Sequence, residues 1–270
     1  MAKKILWYLI IFIACISLIF VTSGFYKALK STIGSSGDNN KSMDQKTAVS
    51  HADNAKLTKD PNKKRLLILG DSIANGTGDE SSKGIDGNLK ELLKNQTSKD
   101  IVLDNAAIDG LKYNDLLKQL NEKKLDSYIS NADYIIISIG GNDIREMLTV
   151  DELSREDIFS QKQEGFVKGL KEVISYIRKN NQNSMIVFLG LYNPTKDDDT
   201  PDNMKMLKSW NNSAQTVIDD DSRAVFIPTY DIFKFNTDKF ISPDRLHPNS
   251  FGYQAIAYLI EKAIESTLEK

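Results

Sequence analysis

The chain has 270 residues and a formal net charge of −2, with 35 lysines and arginines against 37 aspartates and glutamates. This balance argues against the strong positive field that nucleic-acid binding requires, so no nucleic-acid partner is expected. The single cysteine, Cys15, excludes a disulfide framework and a multi-cysteine zinc site. The two histidines, His51 and His247, argue against a histidine-rich metal centre, which leaves only a cation held by oxygen ligands open. We expect neither a metal nor another cofactor.

The first predicted element is an N-terminal transmembrane helix. Two lysines precede an uncharged apolar stretch from Ile5 to Tyr26, which is long enough to cross a bilayer as a helix. We interpret residues 1–30 as an uncleaved signal anchor in the cell membrane, with the rest of the chain on the extracytoplasmic side. The alternative is a signal peptide that is cleaved after the small residues Val21-Thr22-Ser23, which would give a secreted protein.

Two further regions follow this segment. Residues 31–63 are rich in Gly, Ser, Asn, Asp and Lys and contain few large apolar residues, so they predict a flexible linker, with His51 as a solvated residue in it. Residues 64–270 alternate short apolar runs with longer amphipathic segments. This alternation is typical of repeated strand-helix units that build a parallel sheet. We therefore expect one folded domain in this part of the chain.

The apolar runs predict the central sheet of the domain. The first run has four consecutive aliphatic residues, Leu66 to Leu69, and its lack of alternation is typical of a strand buried on both faces. The pattern predicts an α/β fold, a three-layer α/β/α sandwich around a central, about five-stranded parallel sheet. The predicted strands are Arg65 to Leu69, Ile101 to Leu103, Tyr134 to Ile139, Met185 to Leu189 and Ala224 to Ile227.

Helices are predicted between and after these strands. Apolar residues at helical spacing are clearest over residues 166–177 and 253–264, and we interpret both stripes as core packing. The segment 144–165 has two interpretations: its apolar residues form a lid over an acyl chain, or an ordinary helix that packs on the core, which we favour. These apolar residues are Met147, Leu148, Val150 and Leu153. Asn and Asp interrupt three weaker helices, around residues 89–94, 116–120 and 204–218.

Polar residues follow the predicted strands at the points where the strands end. The first strand leads into Gly70-Asp71-Ser72, the second into the block from Asn105 to Gly110, and the third into Gly140-Gly141-Asn142-Asp143. A fourth block, Ser242-Pro243-Asp244-Arg245-Leu246-His247-Pro248, precedes the last helix. Ligands of parallel sheets bind beyond the carboxyl ends of the strands, so we expect these blocks to meet there.

In these four blocks the chain resembles the SGNH or GDSL hydrolase family, and the resemblance covers Arg65 to the C-terminus. It implies a flavodoxin-like SGNH hydrolase fold and a serine ester hydrolase that acts through an acyl-enzyme without a cofactor. Ser72 would be the nucleophile and Asp244 and His247 its triad partners. Ser72, Gly110 and Asn142 would form the oxyanion hole. The second block departs from the family pattern, because Ile108-Asp109 precedes Gly110 where a small or polar pair is more typical.

The chemistry requires the same residue types. A serine hydroxyl needs a neighbouring base, and His247 is the histidine available in the predicted domain. Asp244, three residues earlier, can hold the imidazole in the correct tautomer. Taken one at a time, these residues also have structural explanations as turn formers or helix-entry residues. Their joint order at the strand ends favours catalysis.

The expected substrates are short acyl or acetyl esters of a lipid or of a cell-envelope carbohydrate. This expectation depends on the loops after the strands, which carry Asn75, Asp79, Asp109, Asn114 and Asn193 beside one obvious aromatic residue, Tyr192. Two alternatives stay open. One is a lysophospholipase or thioesterase that acts on longer acyl chains, and the other is a catalytically idle surface-binding module that retains the fold.

The predicted anchor can be tested in membranes of the native host. Because a spanning apolar helix is retained by the bilayer, full-length protein should stay in the membrane fraction after washing with salt and carbonate. Recovery from the culture medium, with an N-terminus near Gly24, would show instead that the apolar segment is a cleaved signal peptide.

Overall fold

The computed structural model describes residues 59–268, apart from residues 95, 146, 148–151 and 196–199. The predicted signal anchor and nearly all of the predicted linker lie outside the described residues, so both stay predictions. Within the described part of the chain, no helix combines the length and the apolar character that crossing a bilayer requires.

The centre of the domain is a five-stranded parallel sheet with the strand order β2-β1-β3-β4-β5. The predicted sheet is confirmed. The first two strands are longer than predicted, because polar residues such as Lys63 and Asp100 pair in the ladder although they interrupt the apolar pattern. The strands are β1 (Lys63–Gly70), β2 (Asp100–Asn105), β3 (Tyr134–Ser138), β4 (Met185–Leu189) and β5 (Ala224–Ile227).

Helices cover both faces of the sheet. In the described residues they are α1 (Ser72–Asn75), α2 (Gly84–Leu93), α3 (Tyr113–Asn121), α4 (Asp126–Asn131), α5 (Gly141–Arg145), α6 (Glu152–Asn180), α7 (Pro201–Asp219), α8 (Tyr230–Lys234), α9 (Thr237–Phe240) and α10 (Ser250–Ile264), followed by a 3₁₀ turn (Glu265–Thr267). Apolar residues of α2 and α10 pack on one face, and those of α3, α4, α6 and α7 pack on the other. The predicted three-layer α/β/α sandwich is confirmed.

The aliphatic run of β1 connects the two halves of the core. Leu66 and Ile68 belong to the cluster with α2 and α10, whereas Leu67 and Leu69 belong to the cluster with α6 and α7. All four side chains are at most 1% exposed. Successive side chains of a strand point to opposite faces, so a strand covered on both sides needs apolar residues at every position.

Segment 144–165, with its two interpretations as a lid or a helix, lies partly within the described residues. Residues 152–165 form the first half of α6, which confirms the helix interpretation for them. Met147 is fully buried in the core cluster that contains α6 and α7, so it is not part of an exposed lid. Leu148 and Val150 lie outside the described residues.

The carboxyl ends of β1 and β3 form the topological switch point of the sheet. From β1 the chain moves to the edge strand β2 and then returns to β3 on the other side of β1. Binding crevices of open α/β sheets lie at such a point. The two strand ends meet closely at Gly70, where the φ angle is +131° and an added Cβ would lie 1.8 Å from the Ser138 carbonyl oxygen. Only glycine fits there.

Replacing Gly70 by alanine should therefore destabilise the domain. Alanine adds a clash with the β3 backbone, so we expect a loss of at least about 2 kcal/mol in the free energy of unfolding, measured by urea denaturation. Gly110→Ala is the matched control, because Gly110 also has a positive φ of +78° but has no atom within 4 Å of an added Cβ. The control should lose only about 1 kcal/mol. If Gly70→Ala and Gly110→Ala lower the free energy of unfolding by the same amount, the predicted clash at Gly70 is wrong.

Candidate active site

The nucleophile candidate lies at the start of a one-turn helix directly after β1. Asp71 is the N-cap of α1, and its carboxylate accepts a hydrogen bond of 3.1 Å from the Ile73 N–H. Ser72 is the first residue of the helix, and the N–H groups of a first helical turn have no partner inside the helix. The Ser72 hydroxyl and backbone N–H therefore stand together at the carboxyl end of β1.

Ser72, His247 and Asp244 form a hydrogen-bonded triad. The Nε2 atom of His247 lies 2.9 Å from Ser72 Oγ, and its Nδ1 atom lies 2.7 Å from Asp244 Oδ2. A carboxylate at Nδ1 favours the tautomer with its proton there, which leaves Nε2 to accept the proton of the serine hydroxyl. The structure thus brings the three predicted triad residues into mutual contact.

The loop before α10 holds the acidic member of the triad in place. Asp244 Oδ1 accepts hydrogen bonds from Ser242 Oγ at 2.6 Å and from the N–H groups of Leu246 and His247 at 2.9 Å. Partial burial raises the pKa of Asp244, but these bonds and the bond from the His247 ring outweigh burial and hold the pKa below its usual range. Asp244 is therefore anionic when the imidazole becomes positive.

The nucleophile loop packs directly against this histidine. Gly78 has a φ of +90°, and a Cβ at this position would lie 2.5 Å from the Cβ of His247. Tyr253 of α10 donates a hydrogen bond of 2.7 Å to the Thr77 carbonyl. These contacts hold the loop after α1 against α10 and His247, and they therefore help to set the distance between Ser72 and His247.

The two remaining oxyanion-hole candidates differ in position. Asn142, in α5, lines the same cleft as Ser72, and its side-chain N–H donates to the Leu111 carbonyl at 3.0 Å. Gly110 lies in a turn that is closed by the bond from Leu111 N–H to the Ile108 carbonyl at 3.1 Å. The turn adjoins Asn142, but Gly110 is not among the residues that line the cleft. Its role as a donor stays a prediction.

The cleft beside the triad has a volume of about 280 Å³, and much of its lining is aliphatic. Its aliphatic residues come from α1, α5, the loop after β4, α7 and the loop before α10. They are Ile73, Ile144, Leu191, Met206, Leu207 and Leu246. Met206 and Leu207 belong to no motif, and nothing in the sequence distinguishes them from the core residues of α7.

Most of the polar residues in the loops after the strands form hydrogen bonds within the protein. Asp109 accepts hydrogen bonds from Asn75 at 2.7 Å and from Thr77 at 2.9 Å, and Asp79 accepts one from the Gly84 N–H at 2.6 Å. Of the polar loop residues on which the substrate expectation depends, Asn193 lines the cleft, whereas Asn75, Asp79, Asp109 and Asn114 do not. Loop acids and amides satisfy nearby backbone and side-chain groups first.

Tyr192 lines the cleft without offering its hydroxyl to it. The hydroxyl donates a hydrogen bond of 2.8 Å to the Leu246 carbonyl, and the ring stacks on Phe233 with 4.1 Å between centroids. Burial raises the pKa of Tyr192 well above its ordinary value, and the charges of Asp71 and Asp244 add to this effect. The neutral phenol therefore supports the loop that carries His247.

Behind the nucleophile lies a buried carboxyl group. Asp71 is 2% exposed, and its Oδ1 also accepts a hydrogen bond of 3.2 Å from Ser138 Oγ. Burial, together with a smaller effect of the charge of Asp143, raises the pKa of Asp71 to about 7 against the lowering effect of its hydrogen bonds. Asp143 in turn accepts a bond of 3.3 Å from the first N–H of α3, at Tyr113. Both aspartates thus hold backbone N–H groups of the segments next to the site.

Substitution of Asp71 by asparagine should change how stability depends on pH. Because the pKa in the folded state lies above the unfolded value, the folded protein keeps a proton that the unfolded chain releases between about pH 4 and pH 7, so wild-type stability falls as the pH rises through this window. The asparagine side chain keeps the cap without ionising. The stability of Asp71→Asn relative to the wild type should rise across the window, by up to about 4 kcal/mol.

Urea unfolding at several pH values measures this difference. Asp109→Asn is the control, since it removes a carboxylate from an exposed loop. A difference between Asp71→Asn and the wild type that does not vary with pH would show that Asp71 keeps an ordinary pKa.

Comparison with known proteins agrees with this geometry. The model of the GDSL-like Lipase/Acylhydrolase family matches residues 68–255. The chain is 29% identical to the uncharacterised protein YpmR of Bacillus subtilis over 207 residues, which are 74% of this chain and 81% of YpmR. It is 26% identical over 211 residues to the spore germination lipase LipC of Bacillus licheniformis, covering 76% of this chain and 98% of LipC.

A solved structure shows the same fold. The lipase Lip_vut3 from a goat rumen metagenome superimposes with a TM-score of 0.68 at 25% sequence identity, over 76% of this chain and 100% of the lipase. The family match spans more than half of the chain and includes the nucleophile and triad blocks. The chain therefore belongs to the GDSL-like lipase/acylhydrolase family and is a carboxylic ester hydrolase.

Proposed function

We propose that this protein hydrolyses short acyl or acetyl esters of a lipid or of a cell-envelope carbohydrate through a covalent acyl-serine. The observation that carries the mechanism is the continuous hydrogen-bonded chain from Ser72 through His247 to Asp244, at the edge of a cleft. This arrangement supplies a nucleophile, a base and a group that orients the base.

The first half-reaction forms the acyl-enzyme. His247 Nε2 removes the proton of Ser72 as Oγ attacks the ester carbon, and Asp244 stabilises the resulting imidazolium. The carbonyl oxygen becomes an oxyanion beside the backbone N–H of Ser72 and the amide of Asn142, with Gly110 as the third predicted donor. The tetrahedral intermediate then expels the alcohol, which takes the proton from His247.

The second half-reaction repeats these roles with water. His247 removes a proton from water, and the water oxygen attacks the acyl carbon. The second intermediate then collapses: the bond between the acyl carbon and Ser72 Oγ breaks, the carboxylic acid leaves, and His247 returns the proton to Oγ. Each proton moves between His247 and either Ser72, the leaving alcohol or water, so the proposed cycle requires no metal and no other cofactor.

The shape of the cleft supports the choice of acyl group. A volume of about 280 Å³ accommodates a short acyl chain together with part of the alcohol. The aliphatic lining favours the second candidate, an enzyme for longer acyl chains such as a lysophospholipase or thioesterase, because every buried methylene adds about 0.8 kcal/mol. We favour short chains because the described cleft is small.

The location of the enzyme is a separate part of the proposal. An N-terminal anchor in residues 1–30 would place the domain beside the outer surface of the cell membrane, within reach of both membrane lipids and envelope polymers.

The alternative to an enzyme is a binding module that keeps the fold without activity. The hydrogen-bond distances within the triad disfavour this alternative.

The decisive experiment combines a chemical probe with a chain-length series. Full-length protein should hydrolyse p-nitrophenyl esters, with the highest kcat/KM at acetate or butyrate, and a serine-reactive phosphonate should abolish the activity. Ser72→Ala should remove both turnover and labelling, whereas Asn142→Ala should lower kcat by a factor of about 10² to 10³ because it removes a donor to the oxyanion.

Each alternative predicts a different result. A steady rise of kcat/KM from C4 to C12 would favour the longer-chain enzyme. Absence of turnover and labelling in a folded wild-type protein would favour the binding module. Loss of activity in EDTA, restored by a metal ion, would contradict the cofactor-free cycle.

A further inference from the structure

The acid of the triad is open to solvent. The Asp244 side chain is 44% exposed, whereas the His247 side chain is 14% exposed. The acid that orients the base of a catalytic triad is ordinarily buried, which keeps water away from its oxygen atoms. Water that reaches an exposed carboxylate competes with the imidazole for its lone pairs, and the terminal torsion of an aspartate is only weakly restrained. The orientation of Asp244 therefore depends on its hydrogen bonds rather than on burial.

Within the described part of the chain, three donors bind the Oδ1 atom of Asp244 and leave Oδ2 to the imidazole. Two of them are the backbone N–H groups of Leu246 and His247, at 2.9 Å each. The third is the Ser242 hydroxyl, which makes the shortest of these bonds at 2.6 Å. Ser242 is 6% exposed, so a buried side chain holds an exposed acid.

The backbone of Ser242 is fixed by the same loop. Its N–H donates to the His247 carbonyl at 2.8 Å, and its carbonyl accepts a bond of 3.0 Å from the Arg245 N–H. The adjoining Ile241 pairs with Pro248 in an antiparallel bridge that closes the loop. The Ser242 hydroxyl thus projects from a backbone that is held at two points, so its direction relative to the carboxylate is set.

The bond from Ser242 has two opposite effects on the acid. Partial burial raises the pKa of Asp244, and among the hydrogen bonds that lower it the bond from Ser242 contributes most. The hydroxyl therefore draws charge from the carboxylate, which weakens the attraction of the carboxylate for the imidazolium. The same bond keeps Oδ2 directed at Nδ1, which strengthens this attraction. The two effects move the pH dependence of activity in opposite directions, so an experiment can separate them.

We propose that Ser242 is a positioning residue of the reaction, whose hydroxyl holds the Asp244 carboxylate in the orientation that stabilises the imidazolium of His247. This inference rests on the proposed serine esterase and deepens it. Ser242 is not among the residues that line the cleft, so it acts through Asp244 and not on the substrate. Its removal should therefore change kcat and the pH dependence, but not KM.

The test measures kcat, KM and the pH profile of Ser242→Ala in full-length protein with p-nitrophenyl butyrate. We expect kcat to fall about tenfold, as for the loss of one hydrogen bond to a charged group, with KM unchanged. A carboxylate that is free to turn stabilises the imidazolium less, so the base takes up a proton only at lower pH. The acidic limb of kcat/KM against pH should therefore move to lower pH, by about half a unit. Ser242→Thr keeps the hydroxyl and should restore both kcat and the limb.

The other ionisable groups near His247 stay the same in these variants, so a displaced limb reports on the acid and the base of the triad. These groups line the cleft or lie on the two elements that pack against the histidine, the loop after α1 and α10. They are Asp71, Arg145, Tyr192 and Arg245 in the cleft, and Asp79 and Tyr253 on the packed elements.

Ser81→Ala is the matched control. The Ser81 hydroxyl donates to Asp79 Oδ1 at 2.7 Å, so this variant also removes a bond from a serine to an aspartate two residues away, but outside the triad. We expect both variants to lose a similar free energy of unfolding in urea and the control to keep the acidic limb at the wild-type pH. The position of the limb does not depend on the folded fraction, so a less stable Ser242→Ala still gives a result.

Three results overturn the proposal. A limb at the wild-type pH in Ser242→Ala would show that Ser242 only supports the loop, and a limb at higher pH would show that the drawn-off charge outweighs the orientation. A limb in Ser242→Thr that stays with that of Ser242→Ala would exclude the hydroxyl as the cause. In each case, wild-type turnover that Ser72→Ala abolishes would keep the esterase intact. A folded wild type without turnover would refute the esterase and the positioning role together.

Discussion

The close contact between the ends of β1 and β3 is the constraint on which the rest of this site depends. Gly70 allows the two strands to stay adjacent up to their carboxyl ends, and the Asp71 N–H then donates to the Ser138 carbonyl at 2.9 Å. This bond fixes where α1 begins and therefore where Ser72 stands. Asn142 follows the end of β3, so the same contact brings Ser72 and Asn142 to one crevice.

The fold was accessible from sequence because its strands are buried on both faces. Such strands need unbroken aliphatic runs, and these runs place the polar strand ends at the right positions along the chain. The short helices α4, α8 and α9 were not foreseen, since one or two turns give too little periodicity to detect. The polar ends of β1 and β2 were missed for a related reason: backbone pairing, rather than side-chain burial, holds them in the sheet.

The triad was also predictable, but the substrate cleft was not. Ser72, Asp244 and His247 are recognised by residue type and local spacing, which chemistry constrains directly. The cleft is formed by side chains such as Leu191 and Met206, whose neighbours are fixed only by the packing of α7 on the sheet. The polar loop residues did not indicate the lining of the cleft, because Asp79 and Asp109 form hydrogen bonds that hold the loops together.

The triad acid and base lie three residues apart in one loop, and that loop supplies most of the hydrogen bonds to the acid. They form a locally assembled pair that needs little from the rest of the fold. The serine lies 175 positions away from His247 in sequence. One long-range distance, from Ser72 Oγ to His247 Nε2, therefore decides whether His247 can accept the proton of the serine hydroxyl. Changes in the packing of the loop after α1 against α10 can therefore tune activity while every active-site residue stays the same. Relatives of this chain can thus differ in rate through a contact that contains none of the triad residues.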